Sequence, residues 1–109
     1  MALIKDAAES GSRGGSAGPV VHVDRVKARS TDTYELKFRG KESARILVKG
    51  DGDNDLDCFV YDQNHGLVAQ DTDSTDSCLM EWTPKWEGKF YIKVKNNGAV
   101  YSDYLLMTN

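Results

Sequence analysis

Short runs of alternating hydrophobic and polar residues occupy the chain from Pro19 onward, and this period of two is typical of half-buried β-strands. In the clearest run, 33–39, Tyr34, Leu36 and Phe38 share one face of the strand and polar side chains share the other. Related runs occur at 20–28, 44–49, 56–61, 67–69, 78–82, 89–95 and 104–107. Turns rich in Gly, Asn and Asp separate them. The pattern predicts an all-β fold, an antiparallel β-sandwich or jelly roll of about eight strands.

The inward-facing positions of these runs predict one hydrophobic core. Its expected members are Tyr34, Leu36, Phe38, Ile46, Val48, Val60, Trp82, Phe90, Ile92 and Val94. A chain of 109 residues is long enough for a single domain. We therefore expect one sandwich domain over 19–109.

Residues 1–18 have a different composition. Residues 3–9 are sufficient for about two turns of helix, which is marginal alone, and SGSRGGSAG at 10–18 is typical of a flexible linker. We expect 1–18 to be a flexible tail or linker. The apolar segment at 1–5 is too short to be the apolar part of a secretory signal peptide. We therefore expect that a signal peptide has been removed or that the chain is a fragment with an added Met1. No apolar run approaches the roughly 20 residues that span a membrane.

Acidic residues concentrate in one part of the chain. The net charge is −3, yet 51–76 contain eight aspartates and neither Lys nor Arg. Basic residues are spread over the strands without forming a stripe interleaved with exposed aromatic residues, which disfavours nucleic-acid binding.

The stretch GDGDNDLDCFVYD at 50–62 joins four alternating aspartates to an apolar strand. Crowded carboxylates repel one another, and water, backbone N–H groups or a hard cation with oxygen ligands can relieve that repulsion. One interpretation is a calcium site in which Asp53, Asp55 and Asp57 form part of the shell, and Asp71 and Asp73 supply the rest if the two loops meet. The alternative is a solvated turn whose carboxylates accept hydrogen bonds from local backbone N–H groups.

Cys58 and Cys78 both lie on predicted inward faces. A disulfide requires Cα atoms within about 7 Å, and so requires neighbouring strands. The alternative is two small buried hydrophobic residues that never meet. A zinc site is disfavoured because His22 and His65 show no ligand spacing with the cysteines.

Catalysis has little support in the sequence. No serine lies in a G-x-S-x-G turn, His65 occupies a predicted turn, and aspartates clustered on a turn do not face each other across a cleft. We expect the protein not to be an enzyme. If it binds a ligand, Trp86, Tyr91 and Tyr101 are the expected contacts. Trp86 in its turn is either a cap on the core, which we favour, or a platform for a partner.

The order of these features resembles the pre-peptidase C-terminal domain family of bacteria. The resemblance rests on GDNDLDCFVYD at 52–62, on GLVA at 66–69 followed by Asp71 and Asp73, and on WTP at 82–84, GKFYIKV at 88–94 and YLL at 104–106. It covers about 20–109. Cys58 departs from the family, which more often has an aliphatic residue there.

This resemblance implies a noncatalytic accessory module of an exported bacterial protein that aids substrate binding or export of a parent enzyme. Its expected location is outside the cell or in the periplasm or envelope. Members of the family include calcium-binding domains and domains that bind substrates such as collagen. The expected partners are other domains of a parent protein, or an extracellular polymer or protein substrate, and neither nucleic acid nor membrane. The alternative is a purely structural domain of a surface or envelope protein. The ligand, the parent protein and the oligomeric state stay open.

Overall fold

The computed structural model describes residues 20–52, 54–73 and 75–109, and these form eight β-strands without a helix. The strands are β1 (Val20–Val26), β2 (Thr31–Phe38), β3 (Ala44–Gly50), β4 (Leu56–Asp62), β5 (Leu67–Asp71), β6 (Ser77–Trp82), β7 (Gly88–Asn96) and β8 (Ser102–Thr108). Each strand expected from the alternating pattern is present, which confirms the all-β prediction. The expected flexible tail or linker at 1–18, with its marginal helical stretch at 3–9, lies outside the described residues.

The strands form two four-stranded antiparallel sheets that pack face to face. The first sheet has the order β1-β8-β3-β6 and the second the order β2-β7-β4-β5. Only β4 and β5 are joined as a hairpin, and the other connections cross from one sheet to the other. This arrangement places residues that are distant in sequence side by side.

The core lies between the sheets and contains the residues that the alternation predicted. Of the expected core residues only Trp82 is partly exposed, and it packs against the buried cluster. Val26, Ala44, Leu56, Cys58, Cys78, Met80, Tyr104 and Leu106 complete the buried cluster. Removing these apolar surfaces from water is the main term that stabilises the sandwich.

A chain of hydrogen-bonded polar groups also lies inside this core. The Tyr104 hydroxyl donates to a carboxylate oxygen of Asp32 over 2.8 Å. The Tyr34 hydroxyl lies 2.7 Å from that of Tyr104. Burial raises the pKa of Asp32, and the Tyr104 hydrogen bond partly opposes this. Asp32 has the same parity as Tyr34 in β2, so the alternation that identifies the core also places this carboxylate inward.

The connections group at two opposite ends of the sandwich. The end that we call the acidic end carries the β3–β4, β5–β6 and β7–β8 connections. The other, which we call the tryptophan end, carries the β2–β3, β4–β5 and β6–β7 connections, with Trp86 in the last. Over the residues that the structure describes, no helix is long and apolar enough to cross a membrane.

Candidate functional site

The two acidic loops meet at the acidic end, as the calcium interpretation requires. The Gly50 N–H donates to the carbonyl oxygen of Asp76 over 2.8 Å, and the Leu56 N–H donates to that of Thr75 over 3.0 Å. The β3–β4 connection is therefore bonded to the β5–β6 connection at both of its ends.

Asp71 and Asp73 accept hydrogen bonds from their own loop and from the strand that follows it. An oxygen of Asp71 accepts a hydrogen bond of 2.9 Å from the Leu79 N–H. An oxygen of Asp73 accepts bonds from the N–H and the hydroxyl of Thr75, at 3.1 and 2.7 Å. These bonds hold the pKa of Asp73 below its usual value. Both carboxylates thus act in the way that the solvated-turn alternative describes.

Asp55 and Asp57 differ from this pair because each keeps one carboxylate oxygen without a partner. The side-chain amide of Asn97 donates to Oδ2 of Asp57 over 2.9 Å. The Oδ1 atoms of Asp55 and Asp57 are both buried, and neither accepts a hydrogen bond from the described residues. Buried carboxylate oxygens of this kind are costly unless a donor or a cation meets them.

The structure does not assemble the expected ligands into one shell. Across 20–52, 54–73 and 75–109, no group of three or more His, Cys, Asp or Glu side chains could hold a metal ion. Asp53, which belongs to the β3–β4 stretch of the sequence, lies outside the described residues. Calcium binding by Asp53, Asp55, Asp57, Asp71 and Asp73 therefore stays a prediction.

Asn54 holds the acidic turn against the β7–β8 connection. Its side-chain amide donates to the carbonyl oxygens of Val100 and Tyr101 over 2.8 and 3.1 Å. A methyl group at Gly98 would overlap the Asn54 side chain, so the glycine permits this close approach. Sequence reasoning did not identify this contact, because nothing in the local pattern shows which loop the turn will touch.

Cys58 and Cys78 are joined by a disulfide in the structure, with Cα atoms 6.2 Å apart. The two strands are not hydrogen-bonded neighbours, because β4 belongs to one sheet and β6 to the other. The bond instead crosses the core between facing strands near the acidic loops. It connects the acidic segment to both sheets.

The three expected ligand contacts lie in three different places. Trp86 is in the β6–β7 connection, and its side chain is 73% exposed, so it does not cap the core as we favoured. Tyr101 is at the acidic end, where the Arg25 guanidinium lies 3.8 Å from its ring centroid. Arg25 in turn donates to Asp103 over 2.6 Å. Tyr91 lies on the outer face of the second sheet.

Tyr91 belongs to a group of rings that we call the aromatic face. It pairs directly with Tyr61 across β7 and β4, and its ring stacks with that of His65 at a centroid distance of 6.1 Å. The Phe59 and Tyr61 rings lie 6.4 Å apart. The Lys93 ammonium is 5.5 Å from the centroid of Tyr61.

A shallow cleft of about 340 Å³ opens on the aromatic face, between Tyr61, His65, Tyr91, Lys93 and Thr33. The lysines at 89, 93 and 95 follow one another along the outward side of β7, and Lys89 pairs with Glu35 at 3.6 Å. Rings and cations side by side on a sheet can contact a polymer chain through its apolar surface and its acceptor groups.

Solved structures of known proteins share this fold. The pre-peptidase C-terminal domain of a collagenase from Bacillus anthracis matches with a TM-score of 0.60 at 13% identity, over 83% of this chain and 90% of that domain. The Yersinia pseudotuberculosis-derived mitogen matches with a TM-score of 0.60 at 12% identity, over 84% of this chain and 85% of its own. The resemblance to the pre-peptidase C-terminal domain is thereby confirmed at the level of the fold.

A third similar structure is PliG of Aeromonas hydrophila, a periplasmic inhibitor of g-type lysozyme, with a TM-score of 0.54 and 14% identity over 84% of each chain. No protein-family model matches the sequence, and no curated protein matches it. At these identities the likeness shows the architecture alone.

Proposed function

We propose that this chain is a noncatalytic binding module of an exported bacterial protein, and that it holds its parent protein against an extracellular polymer or protein. The observation that carries the proposal is the aromatic face, where the half-buried Tyr61 and Tyr91 rings lie with the exposed His65 beside Lys93. Aromatic side chains of this kind dominate the energetics of protein interfaces.

Rigid placement of these rings supports binding. Tyr61 and Tyr91 project from the two central strands of the second sheet, and the ladder between β4 and β7 fixes their spacing. Side chains on a packed sheet lose little further freedom when a partner arrives, which lowers the entropic cost of association.

The composition of the core supports a binding role over catalysis. Among the described residues, Asp32 is the only buried side chain that ionises to a carboxylate, and its contacts are the hydroxyls of tyrosines inside the core. It lies between the sheets and does not line the cleft on the aromatic face.

An exported location agrees with the disulfide between Cys58 and Cys78, since disulfides persist in oxidising compartments. One protein of similar fold is described as periplasmic. On these grounds we propose a location outside the cytoplasm.

We further propose that calcium stabilises the acidic end. Asp55 and Asp57 suit the ion because each has a buried carboxylate oxygen without a partner in the described part of the chain. Hard cations take oxygen ligands of this type. Asp53, Asp71 and Asp73 are the other ligands that the sequence predicts. Asp71 and Asp73 would have to move toward Asp55 and Asp57, since the described residues show no group of three such side chains that could hold a metal ion.

A co-sedimentation experiment tests the binding role. The full chain is incubated with insoluble collagen, chitin or cellulose, and the pelleted fraction is measured for the wild type, Tyr61→Ala and Tyr91→Ala. Tyr101→Ala is the matched control, because it makes the same change at an exposed tyrosine away from the aromatic face. We expect at least one polymer to retain the wild type and Tyr101→Ala, with roughly tenfold weaker retention of the other variants, equivalent to about 1.4 kcal/mol.

Two outcomes would contradict the proposal. If Tyr91→Ala and Tyr61→Ala pelleted like the wild type, the aromatic face would not be the binding surface. If no polymer retained the wild type, the chain would instead be a structural domain of a surface or envelope protein.

A further inference from the structure

A second concave surface lies at the tryptophan end, apart from the aromatic face. It is a pocket of about 490 Å³ between the β4–β5 turn and the β6–β7 connection. Trp82 and Trp86 line it together with Phe90 and Val68, and Gln63 and Lys85 are among its polar residues. An apolar cavity with a few polar groups is the common form of a small-ligand site.

Trp82 lies at this pocket with an unused hydrogen-bond donor. Its ring packs against Phe38 and Phe90 at centroid distances of 5.0 and 5.4 Å. The indole Nε1 is buried and donates to no acceptor among the described residues. Buried indole N–H groups usually have a partner. Because the Nε1 atom has almost no accessible surface, a ligand oxygen would reach this donor only after a local movement of the pocket wall.

Trp86 provides a flat surface on the same pocket. Its side chain is 73% exposed, yet its backbone is fixed by the β2–β3 turn. A methyl group added at Gly40 would overlap the Trp86 Cα and lie 2.8 Å from the backbone nitrogen of Glu87. The Lys41 N–H also donates to the Pro84 carbonyl over 2.6 Å. The connection is thus held firmly while its indole ring faces outward.

The polar side chains that remain available at the pocket are the amides of Gln63 and Asn64, the Thr83 hydroxyl and the Lys85 ammonium. Asp62 is engaged by its own turn, because its Oδ1 accepts from the N–H groups of Asn64 and Gly66, and Lys89 pairs with Glu35. In the described structure no hydrogen bond engages the side-chain amides of Gln63 and Asn64. Side-chain amides can both donate to and accept from hydroxyl groups.

We propose that this pocket binds a sugar ring of a glycan. The C–H face of a pyranose would lie on the negative face of the Trp86 ring. The Gln63 and Asn64 amides would exchange hydrogen bonds with its hydroxyls, and a ring or hydroxyl oxygen would accept from Trp82 Nε1. A protein segment is the competing occupant, but it offers fewer hydroxyls to the amides. The proposal is independent of the aromatic face.

Nuclear magnetic resonance provides the direct test, because the chain has two tryptophans and hence two indole N–H signals. The ¹⁵N-labelled full chain is titrated with chito-, cello- and xylo-oligosaccharides, which are uncharged, and with oligogalacturonates, which are acidic. The comparison shows whether the pocket prefers neutral or acidic sugars. Trp82→Phe assigns the signals. We expect the Trp82 indole signal to move with a saturable dependence on one of these sugars.

Variants link the response to the pocket. Trp86→Ala changes an exposed side chain, and we expect it to weaken sugar binding at least about tenfold while the melting temperature stays unchanged. Trp82→Phe keeps the aromatic packing and removes the N–H. We therefore expect this variant to fold like the wild type and to bind the sugar more weakly. Tyr101→Ala and Tyr91→Ala should bind the sugar as the wild type does.

Three results would overturn the proposal: no saturable shift with any of these sugars, an unchanged affinity in Trp86→Ala, or a shift of the Trp82 signal with a collagen-derived peptide and with none of the sugars. Tyr91→Ala changes only the aromatic face. If this variant loses polymer retention but still binds the sugar, the two surfaces act separately, so the failure of one proposal can be told from the failure of the other.

Discussion

The Tyr104 hydroxyl donates a hydrogen bond of 2.8 Å to the Asp32 carboxylate between the two sheets. Desolvation raises the pKa of Asp32, and the nearby Asp24 adds to the increase, while the Tyr104 bond opposes it. The charged form of Asp32 is therefore less favourable in the folded protein than in the unfolded chain.

The first prediction concerns the pH dependence of stability. A carboxyl whose pKa is raised on folding stabilises the protein fully below its unfolded pKa of about 3.9 and loses that contribution as pH rises through the folded pKa. Asp32→Asn lacks this titration. We expect the stability of the wild type relative to Asp32→Asn to fall as pH rises from about 3 to about 7, measured by urea unfolding at each pH.

Comparison with Asp32→Asn isolates the titration of Asp32. The pKa values of Asp73 and Asp103 are lowered in the fold, so their contributions to stability are lost as pH falls, and this loss is the same in both proteins. Tyr104→Phe removes the donor that favours the charged form, so its stability should fall more steeply with pH. A difference between wild type and Asp32→Asn that did not vary with pH would refute the prediction.

Alternation along the chain was sufficient to predict the strands and most of the core, because burial repeats every second residue in a sheet. The same rule could have identified Asp32, since it shares a face with Tyr34 and Leu36. It was missed because a carboxylate is unexpected inside a core. The hydrogen-bond partner of Asp32 is Tyr104 of β8, which belongs to the facing sheet. Only the three-dimensional structure shows this contact.

Val60 tests the core directly, as its side chain is 0% exposed in the middle of β4. We expect Val60→Ala to lower the free energy of unfolding by about 1–3 kcal/mol, through lost burial and a residual cavity. The matched control is Val23→Ala, since Val23 is 78% exposed and should cost less than about 0.5 kcal/mol. Equal effects of the two substitutions in chemical denaturation would show that Val60 is not a core residue.

The disulfide between Cys58 and Cys78 gives a third prediction. It closes a loop with a sequence separation of 20, which should contribute roughly 3 kcal/mol by constraining the unfolded chain. Thiol titration of the unfolded, unreduced protein should detect no free thiol, and a reductant should lower the melting temperature. A Cys58→Ser/Cys78→Ser double variant should not respond to the reductant. Two titratable thiols in the unreduced protein would show that the bond is absent.

The candidate sites were harder to predict than the core, because ligand contacts depend on where loops and faces meet. Trp86, Tyr91 and Tyr101 are close in sequence, but Trp86 precedes β7, Tyr91 lies within it and Tyr101 follows it. A strand of nine residues extends about 30 Å, so Trp86 and Tyr101 lie at opposite ends of the sandwich and Tyr91 lies on its face. Tyr61 and His65 join Tyr91 only through the pairing of β4 with β7, which no local pattern shows.

The last prediction concerns calcium at the acidic end. The two acidic loops are hydrogen-bonded to each other, and Asp55 and Asp57 each have a buried oxygen without a partner in the described residues. An ion bound only by the folded protein adds about 2.7 kcal/mol of stability at a concentration one hundredfold above its Kd. We expect EDTA to lower the melting temperature and calcium to restore it, with magnesium a poor substitute because it requires a tighter octahedral shell.

Two substitutions show which carboxylates carry this response. Asp55→Asn should weaken the calcium response by removing a charged ligand whose oxygen is otherwise unpaired. Asp62→Asn is the matched control, because Asp62 belongs to the same stretch of sequence but accepts hydrogen bonds from its own turn at the opposite end. That control should respond to calcium as the wild type does. A melting temperature that ignored both EDTA and millimolar calcium would show that the aspartates serve their local backbone, as Asp71 and Asp73 already do.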